Sequence, residues 1–94
     1  MFTLGYTGIA RQRLMHLHPL LKQDMRAALD GLRENPWLGK PLQKELTGLR
    51  SLRVRTHRLL YVVEEERRRI AVILLGPRRT IYEDVSKLRR TIGA

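Results

Sequence analysis

"LRSLRVRTHRLLYVVEEERRRIAVILLGPRRTIY", residues 49–82, is the stretch of sequence that decides the fold. It contains three extended segments, "LRSLRVR", "RLLYVVEE" and "RIAVILLG", which are rich in the β-branched and aliphatic residues typical of strands. The charged run "EEERRR" between the second and third segments suits an exposed hairpin turn. Because the third segment is almost wholly apolar, we expect it to form a central strand covered on both faces.

A short strand and two helices are predicted ahead of this sheet. The strand is "FTLGY", residues 2–6, and Thr7 after it can cap the first helix. Pro19 ends that helix and suits the first turn of the second, which ends at Asn35. Two sets of apolar residues recur at helical spacing, Ile9, Ala10, Leu14 and Leu17 in the first helix and Leu21, Met25, Ala28 and Leu32 in the second. Residues 37–49 are predicted to be mostly irregular.

One more helix is predicted after the sheet. Residues 83–91 carry Val85 and Leu88, which keep helical spacing with Ile92. The whole chain is therefore predicted to be an α+β fold, with a short N-terminal strand, a helical hairpin and then an antiparallel sheet with a C-terminal helix. The helices are expected to cover one face of the sheet. No repeat or linker interrupts the sequence, so we expect residues 1–94 to form a single domain.

The chain is strongly basic. It carries 19 Lys and Arg against 9 Asp and Glu, a formal net charge of +10. Such an excess destabilises a compact protein through self-repulsion, which points to a polyanionic partner. Most of the cations are arginine, whose planar group pairs bidentately with phosphate. A solvated basic surface is the alternative explanation.

Several classes of protein are disfavoured. The chain contains no cysteine, which excludes disulfides, thiolate chemistry and cysteine-based metal sites. His16 and His18 lie close together without a third ligand, so we expect neither a metal nor another cofactor. No apolar run approaches the roughly 18 to 20 residues of a membrane helix. The N-terminus also lacks a signal-peptide pattern. A cytoplasmic protein without a membrane partner is expected.

The arginines fall where the predicted strands begin and end. Arg53 and Arg55 share strand parity before a short turn, and Arg58 opens the next strand. The segment "RRTIY", residues 78–82, follows the end of the third strand. In an antiparallel sheet, that end lies near the start of the second strand. Residues 53–58 and 78–82 are therefore predicted to converge on one cationic face of the sheet.

A cationic site that also holds a tyrosine has a definite chemical use. RNA can be cut without a metal because its own 2′-OH is an internal nucleophile. The catalyst must orient this hydroxyl, remove its proton, stabilise the charged phosphorane and protonate the leaving 5′-oxygen. Arginine can neutralise the phosphate, and tyrosine can act as a base or relay protons. DNA lacks the 2′-OH and offers no such route.

Three motifs in this order carry a resemblance to a known family. They are "G-K-P-L…E-L-x-G-L-x-x-L-R-V" from Gly39 to Val54, "R-L-x-Y" from Arg58, and "G-x-R-R-x-x-Y" from Gly76 to Tyr82. Together with the order of the predicted elements, they resemble the RelE/ParE superfamily of bacterial and archaeal type II toxins over nearly the whole chain. The resemblance implies a small antiparallel sheet packed by two N-terminal helices, with a C-terminal helix often displaced by the antitoxin.

The resemblance implies two possible activities. RelE-like members cut mRNA in the ribosomal A site without a metal, whereas ParE-like members poison DNA gyrase. The positions that match the catalytic residues of the RelE-like branch are Arg53, Arg58, Arg78 and Tyr82. This match favours a ribosome-dependent mRNA endoribonuclease. Its expected partners are the ribosome, mRNA and a cognate antitoxin encoded in the same operon. Further RNA contacts are expected from Arg50, Arg55, His57 and Arg79.

The chain also departs from the family pattern. Ser51 stands where a second basic residue precedes Arg53, so the positive cluster is thinner unless Arg50 or Arg55 substitutes. His57 stands where a tyrosine commonly precedes the arginine. The alternatives are a gyrase poison, in which the same arginines contact protein or DNA, and a basic RNA-binding module without toxicity.

The individual residues have structural explanations as well. Arg58 could pair with Glu64, Glu65 or Glu83 on a solvated strand. Tyr82 could be a core or helix-capping aromatic residue, and His57 an ordinary turn residue. The arginines of residues 67–69 could contact ribosomal RNA, or they could balance the glutamates of the same turn.

Overall fold

The computed structural model describes residues 1–93, with side chains up to Arg89, so Ala94 and the predicted role of the Ile92 side chain lie outside the described part. The elements are β1 (Thr3–Tyr6), α1 (Gly8–Met15), α2 (Pro19–Glu34), β2 (Lys40–Pro41), a 3₁₀ turn (Lys44–Leu46), β3 (Arg50–Val54), β4 (His57–Glu64), β5 (Arg69–Pro77) and α3 (Ile81–Gly93). The predicted α+β class and the predicted order of strand, helical hairpin, sheet and helix are confirmed.

The sheet has five strands in the order β1, β5, β4, β3, β2. β3, β4 and β5 form the predicted antiparallel meander. β1 pairs with β5 in parallel, which makes the sheet mixed. Parallel neighbours need a crossover connection, and the helical hairpin provides part of it. The two-residue strand β2 lies within the segment predicted to be irregular and pairs with β3 at the sheet edge. Pro41 has no backbone N–H, and an edge strand tolerates this loss.

Both helix starts in the hairpin follow the sequence prediction. The Thr7 hydroxyl caps α1 by accepting from the Ala10 N–H at 3.1 Å, and it donates to the Ile73 carbonyl at 2.6 Å. Pro19 is the first residue of α2, where its missing N–H leaves no helical bond unmade. The second contact of Thr7 also fastens the start of α1 to β5.

The sheet is covered on both faces by different helices. α1 and α2 pack on one face, and the buried residues of this cluster are Ala10, Leu14, Met25, Leu29, Leu32, Val54, Leu59, Tyr61, Ile70, Val72 and Leu75. α3 packs on the other face, in a cluster of Leu49, Leu60, Leu74, Ile81 and Val85. The expectation that all helices share one face therefore holds for α1 and α2 and is wrong for α3. Because β5 contributes to both clusters, the prediction that it is covered on both faces is confirmed.

A β-bulge in β5 changes which of its residues point to the face covered by α3. The pairing of β4 with β5 shifts register between Leu60, which faces Leu74, and Tyr61, which faces Val72. The extra residue, Ile73, reverses the alternation, so Leu74 points to α3 while Leu75 points to α1. In residues 1–93, no helix is both long and apolar enough to cross a membrane.

Candidate functional site

Two arginines face each other at one end of the sheet. Arg53 in β3 lies directly opposite Arg58 in β4. Like charges at directly opposite positions destabilise a sheet, so stability alone does not select this pair. Among the described residues, neither arginine has a carboxylate within 4.0 Å. Their positive charge is therefore available to an external anion.

A serine hydroxyl joins Arg58 to Tyr82. Ser51 lies two residues before Arg53, on the same face of β3, and only 3% of its surface is exposed. Arg58 Nη1 donates to Ser51 Oγ at 3.3 Å, and Ser51 Oγ lies 3.1 Å from Tyr82 Oη. Either hydroxyl of the second contact can be the donor. The phenol, the buried hydroxyl and the guanidinium thus form one hydrogen-bonded group.

The first turn of α3 places Tyr82 in this group. Ile81, the first residue of α3, is fully buried in the cluster with Leu60 and Leu74. Arg13 of α1 fastens the same turn, because its Nη1 donates to the Leu75 carbonyl at 3.1 Å and to Asp84 Oδ2 at 3.2 Å. The ring of Tyr82 is half-buried against the same apolar cluster, while its hydroxyl reaches Ser51. Apolar packing and one ion pair therefore set the position of the phenol.

A cationic cleft adjoins this group. It has a volume of about 380 Å³ and is lined by Arg53, Thr56, Pro77, Arg78 and Arg79. The backbone N–H of Arg78 donates to the Thr56 carbonyl at 2.9 Å, which fastens the turn after β5 to the hairpin of β3 and β4. Arg53 lines the cleft and lies directly opposite Arg58, so the cleft adjoins the tyrosine group.

The structure brings Arg53, Arg58, Arg78, Arg79 and Tyr82 together, but it places three other predicted residues elsewhere. β3 ends at Val54, and Arg55 lies in the turn with φ 55°, where it pairs with Asp24 of α2. The expected shared parity with Arg53 is therefore wrong. His57 precedes Arg58 in β4, so it points to the opposite face of the sheet. Burial there lowers its pKa.

Arg50 also lies on the opposite face. It faces Tyr61 in the strand register, and its guanidinium donates to the Gly39 and Trp37 carbonyls. The same group stacks over the Trp37 ring, 5.2 Å from its centre. Arg50 therefore does not fill the gap in positive charge at Ser51. That Arg50, Arg55 and His57 contact RNA stays a prediction, and the tyrosine group does not include them.

The ion pairs bear on the structural explanations given for Arg58 and for the arginines of residues 67–69. Glu64 pairs with Arg67 and Arg69, which supports a charge-balanced turn at the tip of β4 and β5. Glu83 pairs with Lys87. In the described part of the chain, Arg58 pairs with no glutamate. Its polar partner is Ser51.

Two features of the site were not predicted. Ser51 was noted only as a departure from a family pattern, although its parity with Arg53 was a signal that it shares the site face. The ion pair of Arg13 with Asp84 joins residues 71 positions apart, and no local pattern indicates it. Within the described residues, no three His, Asp or Glu side chains are grouped to hold a metal ion.

The chain is similar to known toxins in sequence. Residues 9–82 match the family model of the ParE toxin of type II toxin-antitoxin system, parDE. The chain is also 35% identical over 83 residues to Toxin RelG of Mycobacterium tuberculosis (strain ATCC 25618 / H37Rv), in an alignment that covers 86% of this chain and 95% of RelG.

Solved structures agree with this likeness. The toxin-antitoxin complex RelBE2 from Mycobacterium tuberculosis contains a chain that is 33% identical, with a TM-score of 0.75 over 82% of this chain and 98% of that chain. The isolated E. coli RelE toxin, at 20% identity, has a TM-score of 0.73 over 93% of this chain and 97% of that chain, which shows a common fold. From the family match and the similarity to RelG, the chain belongs to the RelE/ParE superfamily of type II toxins.

Proposed function

We propose that this toxin cuts mRNA on the ribosome, without a metal ion, by using the 2′-OH of the RNA as the nucleophile. The observation that carries the proposal is the hydrogen-bonded group of Arg58, Ser51 and Tyr82 beside a cleft lined by further arginines. This site combines the Tyr82 hydroxyl, a group that can exchange protons, with arginines that have no carboxylate partner among the described residues. The similarity to RelG supports the RelE-like branch over gyrase poisoning.

Each residue has a role in this reaction. The 2′-oxygen attacks phosphorus, the bond to the 5′-oxygen breaks, and a cyclic phosphate and a free 5′-hydroxyl result. Arg58 and Arg53 bind the phosphate oxygens and stabilise the extra negative charge of the phosphorane. Tyr82 relays the proton of the 2′-OH to solvent, and solvent water returns a proton to the leaving 5′-oxygen, which departs as the free 5′-hydroxyl. Ser51 fixes the phenol relative to Arg58, so the two act on the same phosphate.

The substrate class follows from the chemistry of the site. Guanidinium groups bind phosphate strongly, and the net charge of +10 favours a polyanionic target. DNA lacks the nucleophile that this route requires. The ribosome would hold the codon in place, so that a small site needs to supply only charge and proton transfer. This role places the toxin in the cytoplasm.

The proposal includes a cognate antitoxin encoded in the same operon. The RelBE2 structure is a toxin-antitoxin complex, which supports such a partner for this chain. An antitoxin that carries acidic residues would neutralise the exposed arginines of the cleft, because opposite potentials at an interface favour association. Bound there, it would also block access to Tyr82.

Primer extension on a defined mRNA with programmed ribosomes tests the proposal. We expect cuts at the A-site codon that require ribosomes. The cuts should persist at metal-chelator concentrations that leave the ribosomes intact. Arg58→Gln should reduce the cleavage rate by about 10²- to 10³-fold, since one charge-stabilising group is lost. Arg11→Gln, on the exposed surface of α1, changes the net charge equally and should cut like the parent. Intact mRNA with a folded parent protein would overturn the proposal, and inhibited supercoiling would then indicate a gyrase poison.

A further inference from the structure

A lysine lies on the same rung of the sheet as Ser51, where a rung is a row of directly paired residues across the strands. Lys40 in β2 is paired with Ser51 in β3, Ser51 with Leu60 in β4, and Leu60 with Leu74 in β5. Directly opposite residues of antiparallel strands project to the same face, with Cβ atoms about 4.5–5.5 Å apart. Lys40 therefore shares the face of the hydroxyl that joins Arg58 to Tyr82.

The rung is covered only in part. α3 covers its inner half, where Ile81 and Val85 pack with Leu60 and Leu74. Lys40, at the outer end, is exposed. It has neither an ion pair nor a side-chain hydrogen bond among residues 1–89. By contrast, Lys22 donates to the Met15 carbonyl. The Lys40 ammonium is thus available to an external anion.

The backbone under Lys40 is held firmly, although β2 has only two residues. The Gly39 N–H donates to Tyr61 Oη at 2.8 Å, and this buried hydroxyl donates to the Pro36 carbonyl at 2.8 Å. On the other side, the Leu42 N–H donates to the Leu49 carbonyl at 2.9 Å. A fixed backbone limits the freedom that the lysine loses when it binds a ligand.

The cations of this face are arranged around a neutral centre. Arg53 and Arg58 form the next rung of the same face, and Ser51 between them and Lys40 is uncharged. On the sheet surface, diagonal neighbours such as Lys40 and Arg53 lie about 7–8 Å apart. When one phosphate binds at the arginine pair, Lys40 is therefore positioned to bind the next phosphate along the RNA.

We propose that Lys40 binds a phosphate of the RNA adjacent to the one that is cut, an inference that rests on the proposed function. It is a substrate-binding residue and takes no part in proton transfer. Lysine binds phosphate as a point charge on a flexible stem, which suits a neighbouring phosphate whose orientation the chemistry does not fix.

Two measurements test this role with the same three variants. Lys40→Gln removes the charge, Lys40→Arg keeps it, and Lys22→Gln removes one charge from α2 on the opposite side of the sheet. In cleavage of ribosome-bound mRNA, Lys40→Gln should raise KM about tenfold, the size of one charge-assisted contact, and leave kcat near the parental value. Lys40→Arg should restore KM, and Lys22→Gln should match the parent.

The second measurement does not depend on cleavage. Binding of a hexanucleotide of single-stranded RNA is followed at several salt concentrations. Each phosphate contact to a single strand contributes about 0.7 to the slope of log K against log salt, so Lys40→Gln should lower the slope by about 0.7. Lys22→Gln should leave the slope unchanged.

The outcomes separate the two proposals. If the parent cuts mRNA but Lys40→Gln matches Lys22→Gln in both KM and salt slope, the role of Lys40 is wrong and the proposed function stands. If the parent binds the hexanucleotide through Lys40 but never cuts, the proposed function fails and the phosphate contact stands. A parent that neither cuts mRNA nor binds the hexanucleotide would overturn both. A fall in kcat at unchanged KM would also contradict a binding role.

Discussion

Ser51 Oγ and Tyr82 Oη lie 3.1 Å apart, although the two residues are 31 positions apart in the chain. The contact exists because α3 packs on the face of the sheet that Ser51 shares, so its first turn brings the Tyr82 hydroxyl to β3. The same serine oxygen accepts a hydrogen bond from Arg58. One buried hydroxyl therefore sets the relative position of the phenol and the guanidinium that we assign to the reaction.

Removing this hydroxyl should separate positioning from chemistry. We expect Ser51→Ala to lower the cleavage rate about fivefold, because a lost hydrogen bond of about 1 kcal/mol no longer fixes Tyr82 to Arg58. The unfolding free energy should fall by a similar amount, about 1 kcal/mol. Single-turnover cleavage and urea denaturation measure the two effects. A parental cleavage rate would show that Ser51 does not position the pair.

The ion pair of Arg13 and Asp84 should hold the first turn of α3. Both side chains are about one-third exposed, at 33% and 30%, so the pair is worth only about 0.2–1 kcal/mol. We expect Asp84→Asn to increase amide hydrogen exchange in α3 more than in β4, and to lower the cleavage rate. Glu83→Gln is the control, since it removes a charge from the same helix turn but loses only an exposed partner, Lys87. Equal effects of the two variants would mean that only the helix dipole matters.

Two glycines should respond oppositely to alanine. A Cβ at Gly39 would lie 2.6 Å from Tyr61 Oη and 2.9 Å from the Ser51 carbonyl, so Gly39→Ala should destabilise the fold by about 1–3 kcal/mol. A Cβ at Gly31 in α2 would lie 3.7 Å from Leu38, an ordinary contact. Gly31→Ala should therefore stabilise the protein by about 0.5–1 kcal/mol. Urea denaturation measures both, and a stable Gly39→Ala protein would contradict the close packing of β2.

His57 should make stability depend on pH in a defined direction. Burial lowers the pKa of His57 in the folded protein below its usual 6.5. The unfolded chain then binds the proton more tightly, so the stability due to neutral His57 is complete above about pH 6.5 and is lost as the pH falls through the folded pKa. Denaturation between about pH 5 and 8 should show this loss, and His57→Gln should weaken it. A variant with the full parental dependence would exclude His57 as its source.

Much of the fold could be predicted because its signals are local. Runs of β-branched and aliphatic residues define β3, β4 and β5, Thr7 is a helix cap, and Pro19 suits a first helical turn. The covering element of each face could not be predicted, since periodicity shows which residues share a face but not what packs on it. The parallel pairing of β1 and the two-residue strand β2 depend likewise on long-range contacts.

The candidate site divides in the same manner. The strand order predicted that Arg53, Arg58, Arg78 and Tyr82 come together. Arg55 was misplaced because β3 ends one residue earlier, at Val54, and a turn residue with positive φ no longer follows strand parity. Lys40 went unnoticed because its strand is too short to show a period, and only the pairing with Ser51 brings it to the site.

The most direct test is the single-turnover rate at which Tyr82→Phe cuts mRNA on programmed ribosomes, compared with the parent and with Tyr6→Phe. Tyr6 lies in β1, the edge strand at the other end of the strand order from β3. Tyr6→Phe is therefore a matched control that also removes one phenolic hydroxyl. We predict that Tyr82→Phe cuts about 10²- to 10⁴-fold more slowly, the usual contribution of a positioned acid or base, while Tyr6→Phe cuts like the parent. A folded Tyr82→Phe protein that cuts at the parental rate would contradict the account.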